Sequence, residues 1–210
     1  MRNRQLFTVT FGKRNFTVIN CTYKKVAMQK INYFELLEDI SVLCGRAVFL
    51  ASGNTRLLLQ KSLSECQTLQ SECAKKICEL ESFLFTDFLP PLERRSIAEA
   101  AHGMGKIVEC SYQTIFQKLQ RSGYDKRSKE PEICLKLAEI LEESVKLLKK
   151  IKKPNQLPRA EEFREILILA RKTERSSQKR QSSSSLCMAE LREELSDCFD
   201  KIIEIMLCNI

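Results

Sequence analysis

The stretch LPPLERRSIAEAAHGMGKIVEC, residues 89–110, decides the fold. Two consecutive prolines interrupt the chain, and apolar or small residues then recur every three or four positions, as on one face of an amphipathic helix. Because proline is well tolerated in the first turn of a helix, we expect a helix that begins at Pro90–Pro91 and closes near Gly123. Its seam is Ile97, Ala101, Met104, Val108, Ser111, Ile115 and Leu119.

Five other segments show the same spacing. One runs from Asn32 to near Gly53 and a longer one over residues 59–84. A fourth helix is expected over residues 133–151, a fifth from about Arg159, and a sixth over residues 191–209. Spacing near 3.5 residues with short connections predicts long antiparallel helices that pack at shallow angles.

The order of helices also repeats, since helices four to six echo helices one to three across roughly residues 131–210. The sequence therefore predicts an all-α fold, a six-helix antiparallel bundle made of two three-helix repeats. We assign residues 1–29 to a basic leader, 30–125 to the first repeat and 126–210 to the second. No apolar run approaches the roughly 18–20 residues that span a bilayer.

The net charge of +8 is concentrated in that leader. Residues 1–30 contain seven of the 35 basic residues and no acidic one, so the rest has 28 basic against 27 acidic residues, a net charge of +1. The balanced body disfavours nucleic-acid binding, which usually requires a basic face. The leader has two β-prone runs around GKRN, consistent with a β-hairpin, or it is an extension that precedes a true start at Met28.

The chain has ten cysteines, but they lie singly along helical patterns, without a C-x-x-C motif. His102 is the only histidine, which leaves few ligands for zinc. We therefore interpret the cysteines as reduced core residues in a cytoplasmic protein. Without a Gly-rich phosphate loop or a Ser/His/Asp set, the chain is expected not to be an enzyme.

Residues 65–112 resemble the PhoU-like proteins, in the branch associated with Pit-type phosphate transporters. The phrase from Phe88 to Ile97 keeps the family's spacing and proline before the third helix. NYFELLEDI, residues 32–40, resembles the opening helix, and AELREELSDCFDKIIEI, residues 189–205, resembles the closing one. The resemblance implies two three-helix repeats, with acidic E/D-x-x-x-D clusters on the third helix of each in members that bind metal.

Carried over residue by residue, the first cluster falls on Gly105 and Glu109, and the second on Ser196, with Asp197 beside it, and Asp200. The acids of the second helix fall on Glu72 and Ala74, and their counterparts in the second repeat on Lys172 and Glu174. The resemblance thus implies at most a weak site for a divalent or trivalent cation. Its candidate ligands are Glu72, Glu109, Glu193, Asp197 and Asp200.

An acidic stripe on the sixth helix has two interpretations, a cation site or a solvated face. It consists of Glu190, Glu193, Asp197, Asp200 and Glu204. The family resemblance implies a cytoplasmic accessory protein, peripheral at the inner face of the membrane, that regulates a membrane phosphate transporter by docking. The alternative is a cation-binding or scaffolding bundle unrelated to phosphate transport. We expect neither a nucleic-acid partner nor a small-molecule substrate, and homo-oligomers are left open.

Overall fold

The structure is a computed structural model of the whole chain. It describes residues 5–11, 14–20, 33–53, 56–86, 93–120, 129–150, 164–165, 168–169, 172 and 186–208. The chain forms two compact units, Met1–Ile31 and Asn32–Ile210.

The first unit contains an antiparallel β-hairpin. Strand β1 spans Gln5–Phe11 and strand β2 spans Arg14–Asn20. The register pairs Gln5 with Asn20 at the open end and Phe11 with Arg14 beside the turn. β-Branched and aromatic residues dominate both strands, as strand propensity favours.

The described part of the second unit is helical. The helices are α1 (Tyr33–Ala51), α2 (Arg56–Thr86), α3 (Arg94–Gln120), α4 (Glu130–Lys150) and α5 (Leu186–Cys208). The described residues between α4 and α5, at positions 164, 165, 168, 169 and 172, are also helical. The all-α prediction is thus confirmed for the described residues of this unit, while much of the predicted fifth helix lies outside them.

Four of the labelled helices pack as a ring, and α2 packs against two of them. α1 packs against α2, α3 and α4, while α5 packs against both α3 and α4. The order α1, α3, α5, α4 therefore closes a four-helix ring around one core, and α2 lies against both α1 and α3. α1 and α3 run parallel, because Lys118 near the end of α3 reaches the last residues of α1.

The core is apolar along the predicted seams. Its largest fully buried side chains are Leu37, Ile40, Leu69, Leu80, Ile97, Met104, Ile107, Ile115, Leu137, Ile140, Leu141 and Leu148. On the α3 seam all predicted residues except Leu119 are buried. α3 begins at Arg94, and the predicted start of this helix at Pro90–Pro91 lies outside the described residues.

The sequence predicts that the seam of α2 consists of Leu59, Leu63, Cys66, Gln70, Cys73, Ile77, Leu80 and Leu84. The observed seam differs from it by one residue at two places. Leu63 and Gln70 are only half-buried, and their neighbours Ser62 and Leu69 take the inward positions. α2 is 31 residues long. An ideal helix has 3.6 residues per turn, so over such a length its buried face drifts away from a strict 3.5-residue repeat.

Candidate functional site

The centre of α3 contains the two glycines of HGMGK, and at one of them the family pattern has an acidic residue. A Cβ atom on Gly105 would lie 2.8 Å from Cδ1 of Ile77 on α2. Real Cβ atoms do not approach other heavy atoms so closely, so any side chain there would have to displace Ile77. Gly105 therefore serves close packing of α2 on α3, and an acidic ligand does not fit this position without rearrangement.

Gly103 has the same role on the opposite side of α3. A Cβ atom here would lie 3.0 Å from Sγ and 3.4 Å from Cβ of Cys198 on α5. Cys198 also donates from its thiol to the carbonyl oxygen of Ala100, at 3.8 Å. Glycine on α3 and cysteine on α5 thus let these two helices approach closely at the centre of the bundle.

The five candidate metal ligands lie on three helices. Glu72 is on α2, Glu109 on α3, and the other three are on α5, all with exposed side chains. In the described part of the chain, no three His, Cys, Asp or Glu residues form a group that could hold a metal ion. The structure therefore does not gather these residues into one cage, and the metal site stays a prediction. Of the other transferred positions, Lys172 is exposed and helical, while Glu174 lies outside the described residues.

The acidic stripe of α5 lies on the outside of the bundle. All five of its residues, from Glu190 to Glu204, are exposed, whereas Leu191, Leu195 and Ile202 on the same helix are buried. The solvated-face interpretation describes this arrangement, since the carboxylates follow one line along the surface. We call Glu190, Glu193, Asp197, Asp200 and Glu204 the acidic face.

The acidic face extends toward α3 near Cys110. The pKa of the half-buried Cys110 thiol is raised to about 11, mainly by burial and then by the negative charges of Glu194, Glu109 and Glu190. Acids from α3 and α5 are therefore close enough to act on one thiol. Such a thiol is protonated at neutral pH, which makes it a poor nucleophile and a poor metal ligand.

Buried thiols elsewhere in the bundle have the same character. Burial raises the pKa of Cys66 and Cys73 to about 11 and that of Cys134 and Cys198 to about 12. The Cys44 thiol has a pKa well above its usual value, again mainly because of burial. These residues act as small apolar side chains with weak donors, as the donation from Cys66 to the carbonyl oxygen of Val108 shows.

One end of the bundle contains a buried cation that the sequence analysis missed. Lys118 of α3 is 8% exposed, and its Nζ lies 2.6 Å from the carbonyl oxygen of Ala51 and 3.4 Å from that of Gly53. It thereby satisfies carbonyl groups at the end of α1 that have no partner within that helix. Burial lowers the pKa of Lys118 to about 8. Its position three residues after the seam residue Ile115 was the available signal.

Other polar groups at this end join α3, α4 and α5. Thr114 donates to the carbonyl oxygen of Cys187 at 3.3 Å, and the thiol of Cys187 donates to Oε1 of Gln117. The nearly buried Arg192 and Glu130 lie 3.7 Å apart, between α5 and α4. These contacts connect helices, so we assign them a structural role.

His102 lies on the surface, where its Nε2 is 2.8 Å from Oε1 of Glu81 on α2. Its side chain is 55% exposed, so this contact joins α2 and α3 at the surface. In the described part of the chain, no helix combines the length and the apolar character needed to cross a bilayer.

Known protein-family models and curated protein sequences gave no match to this chain.

Proposed function

We propose that this protein is a cytoplasmic regulatory protein that docks on a membrane phosphate transporter and is peripheral at the membrane's inner face. The resemblance of residues 30–210 to the PhoU-like family supplies the partner. The exposed acidic face of α5 is the observation that carries the docking mode. In this proposal the protein is not an enzyme and binds neither nucleic acid nor a small-molecule substrate.

The packing order supports a two-repeat organisation, which is part of the proposal. α1 packs on α3 within the first repeat, and α4 packs on α5 within the second. The contacts α1–α4 and α3–α5 then join the repeats, as an internal twofold relation requires. The helices also run in corresponding directions within the two repeats. α1 is parallel to α3, and α4 is parallel to α5, because Cys134 in the first turns of α4 donates to the carbonyl oxygen of Met188 at the start of α5.

Charge explains why the acidic face suits such a partner. The cytoplasmic loops of membrane proteins carry an excess of Lys and Arg. Glu193, Asp197 and Asp200 are spaced by four and three residues, so they present carboxylates along one line of α5. A complementary basic loop would be steered to this line and oriented on it, which is how charged surfaces contribute to specificity and association rate.

Regulation would then follow from differential binding. A bundle that binds one conformation of the transporter more tightly than another shifts the transporter toward that conformation. The rigid core is suited to this role, since its helices are held by buried apolar contacts and by close approach at Gly103 and Gly105. No group of this chain needs to take part in a chemical step.

The test is affinity capture from native membranes with the full-length chain as bait. A phosphate transporter should co-purify, and Glu193→Lys/Asp197→Lys should lose most of it. The matched control is Glu139→Lys/Glu143→Lys, which makes the same charge change, with the same spacing, at exposed positions of α4. Capture without a phosphate transporter, or equal capture by both double variants, would contradict the proposal.

A further inference from the structure

The outward side of α1 contains a line of residues that the core does not use. Glu38, Val42, Gly45 and Phe49 recur at spacings of four, three and four residues, so they follow one line along the helix. Val42 and Phe49 are 40% and 69% exposed, and Gly45 between them is half-buried. We call these four residues the outer seam. The outer seam borders α4, because a Cβ atom on Gly45 would lie 3.6 Å from Oε2 of Glu142.

Packing within the chain does not explain the glycine of the outer seam. At 3.6 Å a Cβ on Gly45 would make only an ordinary contact, whereas a Cβ at Gly103 or Gly105 would lie 3.0 Å or 2.8 Å from a neighbouring helix. Glycine in a helix interior is also destabilising relative to alanine. A glycine between two exposed apolar side chains leaves a shallow groove, where another backbone can approach α1 closely. The outer seam therefore has the form of a docking surface for a helix.

Acidic side chains from α1 and α4 gather at the border of the outer seam. Nζ of Lys146 lies 2.6 Å from Oε1 of Glu142. The pKa of Lys146 is raised first by this hydrogen bond and then by the charges of nearby acids, among them Glu38 of α1 and Glu143 of α4. Three carboxylates thus lie near one ammonium group, which gives this border an excess of negative charge.

The charges on the α2 side of α1 are arranged in pairs. Arg46 lies 3.2 Å from Glu65, and Lys76 lies 2.7 Å from Asp39. The negative excess is therefore on the α4 side of the outer seam. A partner that fits has apolar residues along the seam and cations on one flank, which is the arrangement of a basic amphipathic helix.

We propose that the outer seam binds a basic amphipathic helix of a partner protein. The apolar stripe of that helix covers Val42 and Phe49, its backbone approaches Gly45, and its Lys or Arg side chains contact Glu38 and Glu142. In this mode, apolar anchors at helical spacing supply affinity and charges supply orientation. A second copy of this chain is less well matched, because a symmetric contact through the outer seam brings two acidic borders together.

The test uses the full-length chain and does not involve the proposed transporter. The probe is a fluorescent synthetic peptide in which Leu recurs at helical spacing and the other positions are Lys. One comparison peptide has the same composition in an order without an amphipathic face, and another has Glu in place of Lys. Fluorescence anisotropy should show binding of the first peptide, much weaker binding of the second and none of the third. Binding of the first should weaken as salt is raised.

Two substitutions test the apolar contact and the groove. Phe49→Ser should weaken binding of the amphipathic Leu/Lys peptide about tenfold, because the burial free energy of a large apolar side chain corresponds to at least this factor in affinity. Phe85→Ser makes the same change at a 91% exposed position of α2 and should bind like the parent chain. Gly45→Ala should weaken binding by a smaller factor while it stabilises α1, a combination that a purely structural role of Gly45 would not produce.

A double variant tests the charges. Glu38→Gln/Glu142→Gln should weaken binding several-fold, and its remaining binding should depend less on salt. The matched control is Glu193→Gln/Asp197→Asn, which removes two charges from the acidic face of α5 and should bind like the parent chain. Equal losses in these two double variants would assign the peptide to acidic surfaces in general and overturn the inference.

Three further results would overturn the inference. They are equal binding of the two Leu/Lys peptides, equal losses in Phe49→Ser and Phe85→Ser, and self-association of the parent chain that Phe49→Ser abolishes. The last result, measured by sedimentation velocity over a range of concentrations, would assign the outer seam to a second copy. Circular dichroism of each variant checks that the helices are still folded.

Discussion

Two interfaces join the predicted repeats, and they are built differently. At the α3–α5 interface, Gly103 lies so close to Cys198 that a Cβ would meet Sγ at 3.0 Å. At the α1–α4 interface, a Cβ on Gly45 would meet only Oε2 of Glu142, at an ordinary contact distance of 3.6 Å. Both glycines lie inside helices, yet only at Gly103 would an added Cβ make a tight contact with the facing helix.

This difference in packing indicates which interface fixes the geometry of the bundle. Close packing transmits any change in volume to the helix axes, because protein interiors have little free space. The α3–α5 interface also has the buried contact of Thr114 with the carbonyl oxygen of Cys187. The α1–α4 interface instead has partly exposed charges at Glu142 and Lys146. We therefore expect mutations at the α3–α5 interface to have the larger effects.

The largest effect is expected from Gly103→Leu. The added side chain would force α3 and α5 apart, and overpacking of a filled core costs typically 1–3 kcal/mol, so we expect a loss of about 3 kcal/mol in the free energy of unfolding. Urea denaturation followed by circular dichroism measures it. Gly45→Leu adds the same side chain at the half-buried α1 position and serves as the control. Similar losses in the two variants would show that the interfaces do not differ.

Lys118→Met should have the next largest effect. It removes the ammonium group 2.6 Å from the carbonyl oxygen of Ala51 and leaves that buried end of α1 without this donor. The loss is opposed by relief from burying a charge, so we expect a net loss of about 1 kcal/mol at pH 7. Urea denaturation at fixed pH measures it, and a stabilised variant would show that desolvation outweighs the hydrogen bond.

The same pair of proteins tests the pKa of Lys118. In the folded protein burial lowers this pKa from 10.5 to about 8, so between these values the unfolded state holds more protons. The contribution of Lys118 to the free energy of unfolding therefore rises as the pH increases from 8 to 10.5. The stability of the parent chain relative to Lys118→Met should increase over this range. A difference that does not vary with pH would mean that the ammonium is solvated.

The buried thiols change the pH dependence of stability in the opposite direction. Their folded pKa values lie above 9.0, for example about 12 for Cys134 and Cys198. As pH rises above 9, the thiols ionise in the unfolded chain before they can in the folded one. Both proteins should therefore lose stability above pH 9. For this reason the parent chain and Lys118→Met are compared with each other at each pH.

The sequence predicted much of this fold because its signal is periodic. Ile97, Met104 and Ile115 recur at helical spacing, and all are buried. The sequence could not predict the role of Gly103 or Gly105. Glycine is a weak helix former regardless of which residues pack against it, so its presence in a helical pattern does not show why it is there. Only the tertiary contacts with Cys198 and Ile77 show that a side chain at either position would require these neighbours to shift.

Lys118 was missed for a different reason. A lysine near an apolar seam is normally read as a solvated residue whose stem lies along the surface. Its burial depends on where α1 ends, and the one-dimensional pattern does not contain the distance from Ala51 to Nζ. The acidic face, in contrast, was visible in the sequence, because spacings of three and four residues define a line on a helix.

A smaller effect, of opposite sign, is expected from Gly45→Ala. The new Cβ has room beside Glu142, and alanine favours a helix interior by about 0.5–1 kcal/mol relative to glycine. We expect stabilisation of this size, measured as a shift of the urea midpoint at constant m-value. Gly103→Ala is the matched control, and it should gain less or lose stability. A gain at Gly103 equal to that at Gly45 would remove the distinction between the interfaces.

The smallest effect is expected from Lys146→Ala at the α1–α4 interface. Nζ of Lys146 lies 2.6 Å from Oε1 of Glu142 one turn earlier, but the two side chains are 47% and 30% exposed. The pKa of Lys146 is raised by the hydrogen bond to Glu142 and by nearby acids that include Glu38 of α1. Because water and salt screen such pairs, we expect a loss of less than about 0.5 kcal/mol.

A double-mutant cycle with Glu142→Gln measures the Lys146–Glu142 coupling directly, and high salt should abolish it. Because both of these residues lie on α4, a second cycle pairs Lys146→Ala with Glu38→Gln, across the interface with α1. A Lys146–Glu38 coupling comparable to the effect of Lys118→Met would mean that charge, and not close packing, holds α1 to α4. The α1–α4 interface would then be as firmly fixed as the α3–α5 interface, although by electrostatic means. A small coupling leaves the Gly103 contact with Cys198 as the feature that sets the spacing of the two halves.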